Sequence, residues 1–511
     1  MTAAAQESGF DVSGQIGPDP ILPEPRMSLL PDMKLAEVIG WQEGETPTVP
    51  DGFTAAVYAK DPVNPRTVHT LPNGDVLVVQ GRGPSGKPLL RPKDYIRGWV
   101  MSLGKGGDGP TKDSNLITLL RDTDRDGAVD KRSDLLTDLN SPFGVAWIDN
   151  TLYVAAADAI LSYPYELGAT EITAEAEVLT PLPGGPINHH WIKDLALSPD
   201  GTMLYASVGS NSNVAERGME AEKGRAAIWE VNRATGASKI FASGLRNPNG
   251  LTFEPETGTL WAVINERDEL GPNLVPDYMT SIVENGFYGW PWSYFGDHVD
   301  ERVYSKRPDM VEKALSPDYA LSSHVAPLGM IFTRGSAMPE PYANGAFVGE
   351  HGSWNRDHFN GYKVSYIPFK DGKPSGKAVA FVTDFLSGDR AQGRPAGVGI
   401  DGTGALLVAD DAGNTVWRVA PSDGTVTPEP VGSDGQRLLA DAGAQDGEDP
   451  APATTKTDSE TVEDQQQEPE NENESVEDSI SEGGAADAVS PTPLTTGPTV
   501  NLDADQNSGQ Q

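Results

Sequence analysis

The stretch PINHHWIKDLALSPDGTMLYASVG, residues 186–209, decides how the chain folds. Leu195 and Leu197 alternate with Ala196 and Ser198, Pro199-Asp200-Gly201 supplies a tight turn, and Met203-Leu204-Tyr205 opens a second apolar run. Two short apolar runs joined by turn residues read as a β-hairpin. Two adjacent histidines, His189 and His190, stand at its start in a chain that has only 7.

The same pattern recurs through the body as PRTVHTLPNGDVLVVQ (65–80), SPFGVAWIDNTLYVAAAD (141–158), NPNGLTFEPETGTLWAVINE (247–266), APLGMIFTRGSAMPEPYANGAFVGEHG (326–352) and RPAGVGIDGTGALLVADD (394–411). The copies lie roughly 50–80 residues apart, and runs such as AAIWEVN (226–232) and NTVWRV (414–419) follow them as further strands. A β-hairpin repeated at that period predicts propeller blades, each completed by outer strands. Few segments carry the 3.6-residue apolar period of a helix. The expectation is an all-β, six-bladed β-propeller over residues 50–430, preceded by an N-terminal extension at 1–49. In such a fold the residues just before each hairpin converge on one mouth of the central channel.

Charge separates off the end of the chain. The formal net charge is −37, and from Val431 onward 19 Asp and Glu face only Arg437 and Lys456. That segment, with runs such as VEDQQQEPENENESVED (462–478), has too little apolar surface to fold alone and reads as a disordered acidic C-terminal tail over 431–511. An acidic protein repels nucleic acid and anionic membranes, so neither is expected as a partner. No run of about 18 apolar residues is present, so no membrane span is expected. The opening MTAAAQESGFDVSG lacks the basic and apolar regions of a signal peptide. Cysteine is absent, which excludes disulfides, thiolate metal sites, cysteine nucleophiles and a C-x-x-C-H haem site. Oligomeric state is not legible.

The residues placed at the predicted mouth carry chemistry. They are His189 and His190, Arg246 and Asn247, His324 and Arg394, joined by the strand-exit loops INERDELGPNLVPDY (264–278) and GEHGSWNRDHF (349–359). Arginines gathered in a net-acidic body suggest a small polyanionic ligand, because the guanidinium fork matches carboxylate or phosphate. Acidic side chains beside a Gly-Pro loop suit a hard cation such as Ca²⁺, which takes oxygen ligands.

GLRNPNGL (244–251), NERDELGPNLVPDY (265–278), ENGFYGWPWSYFG (284–296) and HGSWNR (351–356), in that order on the repeat, resemble the soluble quinoprotein glucose/sorbosone dehydrogenases, with the nearest likeness to the L-sorbosone branch. The resemblance covers about residues 50–420. It implies pyrroloquinoline quinone (PQQ) and Ca²⁺ as cofactors, a sugar-type alcohol or hydrated aldehyde as substrate, and an external electron acceptor. By this resemblance His190 is the general base and Arg246 stabilises charge developing on the cofactor. Asn247, Arg356, Arg394 and His324 bind the cofactor, the carbonyls of Gly271 and Pro272 hold the calcium, and Asp277 lies beside it. His189 stands where the glucose enzymes carry an Asp, and Ala396 where they carry a second arginine, which favours another aldose or aldehyde hydrate over glucose. The family also implies a periplasmic or extracellular location.

DTDRDGAVD (122–130) follows the D-x-D-x-D-G pattern of a calcium loop, with Asp122, Asp124, Asp126 and Asp130 as ligand positions. Position twelve is Ser133 rather than the bidentate Glu, so a structural calcium outside an EF-hand competes with a plain acidic turn. Two other readings of the whole chain stay open. One is a calcium-dependent propeller lactonase or other hydrolase, which needs several carboxylates on a metal and few arginines. The other is a non-catalytic propeller that binds sugars or partners.

Overall fold

The computed structural model describes residues 12–27, 32–84 and 114–423. The acidic segment 431–511 lies outside these residues. Among them, six antiparallel sheets of four or five strands follow one another along the chain. The first contains Pro65–Thr70, Val76–Gln80, Leu116–Arg121 and Lys131–Leu136. The second, third, fourth and fifth begin at Val145–Ile148, Leu195–Leu197, Pro248–Phe253 and Pro327–Phe332. The sixth runs Pro395–Ile400, Leu406–Asp410, Thr415–Pro421, and its fourth strand is Phe53–Lys60 from the beginning of the body, antiparallel to Thr415–Pro421. Each of the six quoted stretches supplies the first two strands of one sheet. The hairpin at 199–201 shows why. Gly201 adopts φ 70°, Asp200 Oδ1 accepts from Ser198 Oγ at 2.6 Å, and the Ser198 amide donates to Met203 O at 2.8 Å.

Apolar side chains fill every gap between neighbouring sheets. Val76 and Val78 face the sixth sheet with Leu407 and Ala409, while Leu77 and Val79 face the second with Val145 and Leu152. The strand is therefore buried on both faces, and it reads as a continuous apolar run although its side chains alternate. Equivalent clusters join the second sheet to the third, third to fourth, fourth to fifth and fifth to sixth. The first strands of all six sheets line one axial channel, with Val68, Val145, Leu195, Leu251, Met330 and Val398 among its walls. This is a β-propeller. Close approach of the first strands needs glycine: a Cβ at Gly329 would sit 2.8 Å from Gly397 Cα in the next sheet.

Among the described residues helix is almost absent. One four-residue α-turn, Pro308–Val311, lies in the insertion before the last strand of the fourth sheet. The described part of the N-terminal extension is built onto the body. Ile16–Gly17 pairs with Tyr319–Ser323 as a fifth strand, and Glu37–Val38 runs parallel to Arg390–Ala391. Trp41 wedges edge-on against Phe385 and Trp417, with centroids 5.5 and 5.0 Å away.

Candidate active site

The starts of the first strands and the ends of the second strands share one mouth of the channel, and the predicted residues collect there. His190 precedes the third sheet. Its Nδ1 lies 2.9 Å from the Ser210 carbonyl and 3.0 Å from Ser210 Oγ, at the exit of that sheet's second strand. A carbonyl oxygen only accepts, so this contact places the proton on Nδ1 and the ring's lone pair on Nε2. His189 stacks edge-on to it at 4.8 Å. Gly209 brings in Asn247 from the fourth sheet: a Cβ there would lie 2.5 Å from both His190 Cβ and Asn247 Oδ1. Only a glycine lets these two side chains share the space. Asn247 Oδ1 is buried and finds no hydrogen-bond partner among the described residues.

Arg246, one residue earlier, is in a different state. It is buried, and its guanidinium donates to Asn213 O and Oδ1 (3.3 and 2.9 Å), Asn265 O (3.2 Å), Glu266 O (2.6 Å) and Asp268 Oδ2 (3.1 Å). It thus ties together the loops at 211–213 and 265–268. Asp268 is central to this wall, because its Oδ1 also stands 3.6 Å from His324 Nδ1. His324 in turn places Nε2 3.3 Å from the Gly271 carbonyl. Burial lowers the His324 pKa, although Asp268 opposes this, so its ring is neutral near pH 7. Asp277 accepts from the amides of Glu266 (2.7 Å) and Ala326 (2.8 Å) and bridges the exit of one strand to the start of the next sheet. Burial pushes its pKa up to about 8, with Asp268 and Glu266 adding to the rise.

The remaining cations come from the fifth and sixth sheets. Arg356 is fully buried. It donates to Ser323 O (3.0 Å), Asn273 Oδ1 (2.8 Å) and His358 Nε2 (2.5 Å), but its Nε has no partner among the described residues. Burial pulls its pKa down to about 10, which leaves it charged near pH 7. Arg394 donates to His351 O (3.0 Å) and Gly352 O (2.9 Å) and lies over the Tyr362 ring at 5.2 Å. The mouth also holds residues that sequence reasoning placed in these stretches without singling them out. His351 Nε2 is 2.9 Å from both Asp411 oxygens, and Asp411 is 2.6 Å from Arg66, which lies 6.0 Å over Trp191. Their signal was available, since Arg66 opens a first strand and His351 and Asp411 end second strands. Ala396, where a second arginine was looked for, is buried in an apolar floor with Phe143, Ile192 and Leu328.

The 122–130 loop is elsewhere. It joins the last two strands of the first sheet on the opposite face, where a Cβ on Gly127 would meet the Arg418 guanidinium carbon at 2.6 Å. Carboxylate oxygens of Asp122, Asp124 and Asp130 lie within 4.8 Å of one another. Asp126 is not in the group. Its Oδ1 accepts from the Ala128 amide at 2.8 Å, which turns the carboxylate to cap its own turn.

The sequence profile described as Glucose / Sorbosone dehydrogenase matches residues 150–353, which span the hairpins bearing His190, Arg246, Asn247 and His324. That match makes residues 150–353 similar to the glucose/sorbosone dehydrogenase family. A second profile, TrAA12-like, matches residues 303–422. An uncharacterized protein of Borreliella burgdorferi is 30% identical over 292 residues, covering 55% of this chain and 76% of that one. Among solved structures, the holo form of the pyranose dehydrogenase PQQ domain from Coprinopsis cinerea aligns with TM-score 0.59 and 19% identity, over 75% of this chain and 99% of its own. The calcium structure of the Trichoderma reesei family AA12 enzyme aligns with TM-score 0.58 and 17% identity, over 74% and 97%. At these identities the likeness to the solved structures is one of fold.

Proposed function

We propose that this chain is a PQQ- and Ca²⁺-dependent dehydrogenase on a six-bladed propeller, oxidising a sugar-type alcohol or hydrated aldehyde and passing electrons to an external acceptor. The observation that carries the reading is the pair of buried polar atoms without partners at the mouth, Asn247 Oδ1 and Arg356 Nε. A buried orphan acceptor and a buried orphan donor are costly unless a ligand completes them. A polar quinone bearing carboxylates answers both needs, so the residues present fit PQQ. When bound, PQQ supplies a two-electron, hydride-accepting quinone, and Ca²⁺ supplies a Lewis acid.

The chain's own residues have separable tasks. Arg356 and Arg394 receive carboxylates, Asn247 holds the cofactor edge beside His190, and His324 borders the Gly271 carbonyl. His190, with its Nδ1 proton held by Ser210, presents Nε2 as general base to a substrate hydroxyl. Arg246 acts by fixing the loops that frame the pocket. Gly271 and Pro272 offer carbonyls for the calcium, with Asp277 bracing their loop. The Asp122, Asp124 and Asp130 cluster would take a second, structural calcium. A calcium hydrolase fits less well, because the Asp268 and Asp277 carboxylates are already engaged by Arg246 and by backbone amides. Work outside the cytoplasm is part of the proposal, on the family resemblance.

The test is reconstitution. The purified protein is incubated with PQQ and CaCl₂, cofactor uptake is read by absorbance, and reduction of a dye acceptor is followed with aldoses, sorbosone and simple alcohols. Calcium-dependent uptake with turnover of at least one sugar-type substrate is expected. Absence of uptake and of turnover across the panel would overturn the reading.

A further inference from the structure

We infer that the N-terminal segment is a clamp that positions the cofactor-facing loops of the mouth, with Gln15 as its principal residue. Gln15 is fully buried. Its Nε2 donates to the Asn273 carbonyl, and its Oε1 accepts from Ser323 Oγ at 3.1 Å and Ser322 Oγ at 3.3 Å. On the other side of the Gly271-Pro272 pair, the Arg26 amide donates to Leu270 O at 2.9 Å. The two carbonyls assigned to calcium are therefore held from both flanks by a segment that comes from before the first blade and adds a strand to the edge of the fourth sheet.

The same segment reaches the arginines. Asn273 accepts from Gln15 through its backbone and from Arg356 Nη2 through Oδ1 at 2.8 Å, so it couples the clamp to the buried cation. Ser323, bonded to Gln15, gives its carbonyl to Arg356 Nη1 at 3.0 Å. Further along, the Lys34 amide donates to Trp354 O at 3.1 Å, two residues before Arg356. Trp41 Nε1 donates to Asp410 Oδ2 at 2.6 Å, and Asp410 Oδ1 accepts the Arg394 amide at 2.7 Å. Loops without a sheet ladder need other partners for their backbone groups. A binding site needs its groups held to within about 0.5 Å. The N-terminal segment supplies those partners beside Gly271, Arg356 and Arg394.

The clamp rests on the proposed cofactor reading for its purpose, and the experiment keeps the two apart. Full-length protein, a chain lacking residues 1–27 and the Gln15→Glu variant are compared by hydrogen exchange and by PQQ titration at fixed CaCl₂. Gln15→Glu keeps the acceptor for the serines but sets a carboxylate oxygen against the Asn273 carbonyl. Exchange over 268–277 is expected to quicken about tenfold or more in the deletion, and less in Gln15→Glu, as local openings become easier. Exchange at 76–80, remote from the clamp, stays unchanged. PQQ affinity falls about five- to tenfold in Gln15→Glu, the effect of one hydrogen bond of ordinary strength. If the deletion does not fold, Gln15→Glu decides alone. Unchanged exchange over 268–277, or faster exchange with unchanged PQQ affinity, overturns the clamp. Faster exchange with no PQQ uptake by the full-length chain overturns the cofactor reading and leaves the clamp on the loops standing.

Discussion

Arg246 and Arg356 are both buried arginines at the same mouth, yet their surroundings differ in kind. The Arg246 guanidinium and the Asp277 carboxylate are themselves matched by protein: five acceptor contacts surround the one, and two amides hold the other. Around Asn247 and Arg356 two buried polar atoms, Asn247 Oδ1 and Arg356 Nε, have no partner among the described residues. Residue type does not separate the two walls. What separates them is whether the fold itself completes each group. A completed group is architecture, and its loss costs stability. An incomplete one is kept for a ligand, and its loss costs binding.

Four substitutions test this division. His190→Ala, on the open wall, is expected to lower turnover by about 10²–10⁴, the usual range for a general base, with the fold and PQQ uptake retained. Full activity in dye reduction would remove His190 as the base. Arg246→Ala leaves Asp268 and several carbonyls buried without their cation, and is expected to destabilise the protein by about 3–5 kcal/mol in denaturant unfolding. If stability holds and only activity falls, Arg246 belongs to the open wall and the comparison breaks. Asn247→Ala removes a group that the fold does not complete. Its stability should change by less than about 1 kcal/mol, while PQQ binding weakens about tenfold. The smallest effect is expected at Asp124→Asn in the exposed 122–130 loop. There the calcium-dependent gain in Tm should shrink without any change in turnover. An unchanged calcium response would make this loop a plain acidic turn.

The repeat was legible because hairpin turns are local: Pro199-Asp200-Gly201 needs only its own neighbours to form. The mouth followed from it, since the start of each first strand must face the channel in a propeller. His190 and Asn247 could thus be placed together without coordinates. The state of each group was not legible, because partners come from distant loops. Arg246 meets Asn213, which is 33 positions away, and Asp268, which is 22 away. Asp268 and Asp411 were hidden among many acidic residues for the same reason. Spacing in 122–130 gave the loop but not the rotation of Asp126, which depends on a hydrogen bond to Ala128. The docking of residues 12–27 and 32–41 had no periodic signal at all, since their pairing partners lie in the fourth and sixth sheets and in the loop at 390–391.

The strand Phe53–Lys60 carries one more consequence. Thr54 Oγ1 and Ser422 Oγ meet at 2.9 Å across 368 positions of sequence, where the sixth sheet joins the start of the body to its end. A chain emerging from the ribosome can stack five sheets in order, but the edge at Phe53–Lys60 must wait for the last one. Until then the first sheet keeps one apolar face in water, and Arg394 and Asp411 have yet to reach the mouth. Ring closure and assembly of the pocket are therefore the same event in time, and a nascent chain stalled before Pro395 holds a base and its neighbours but no finished site.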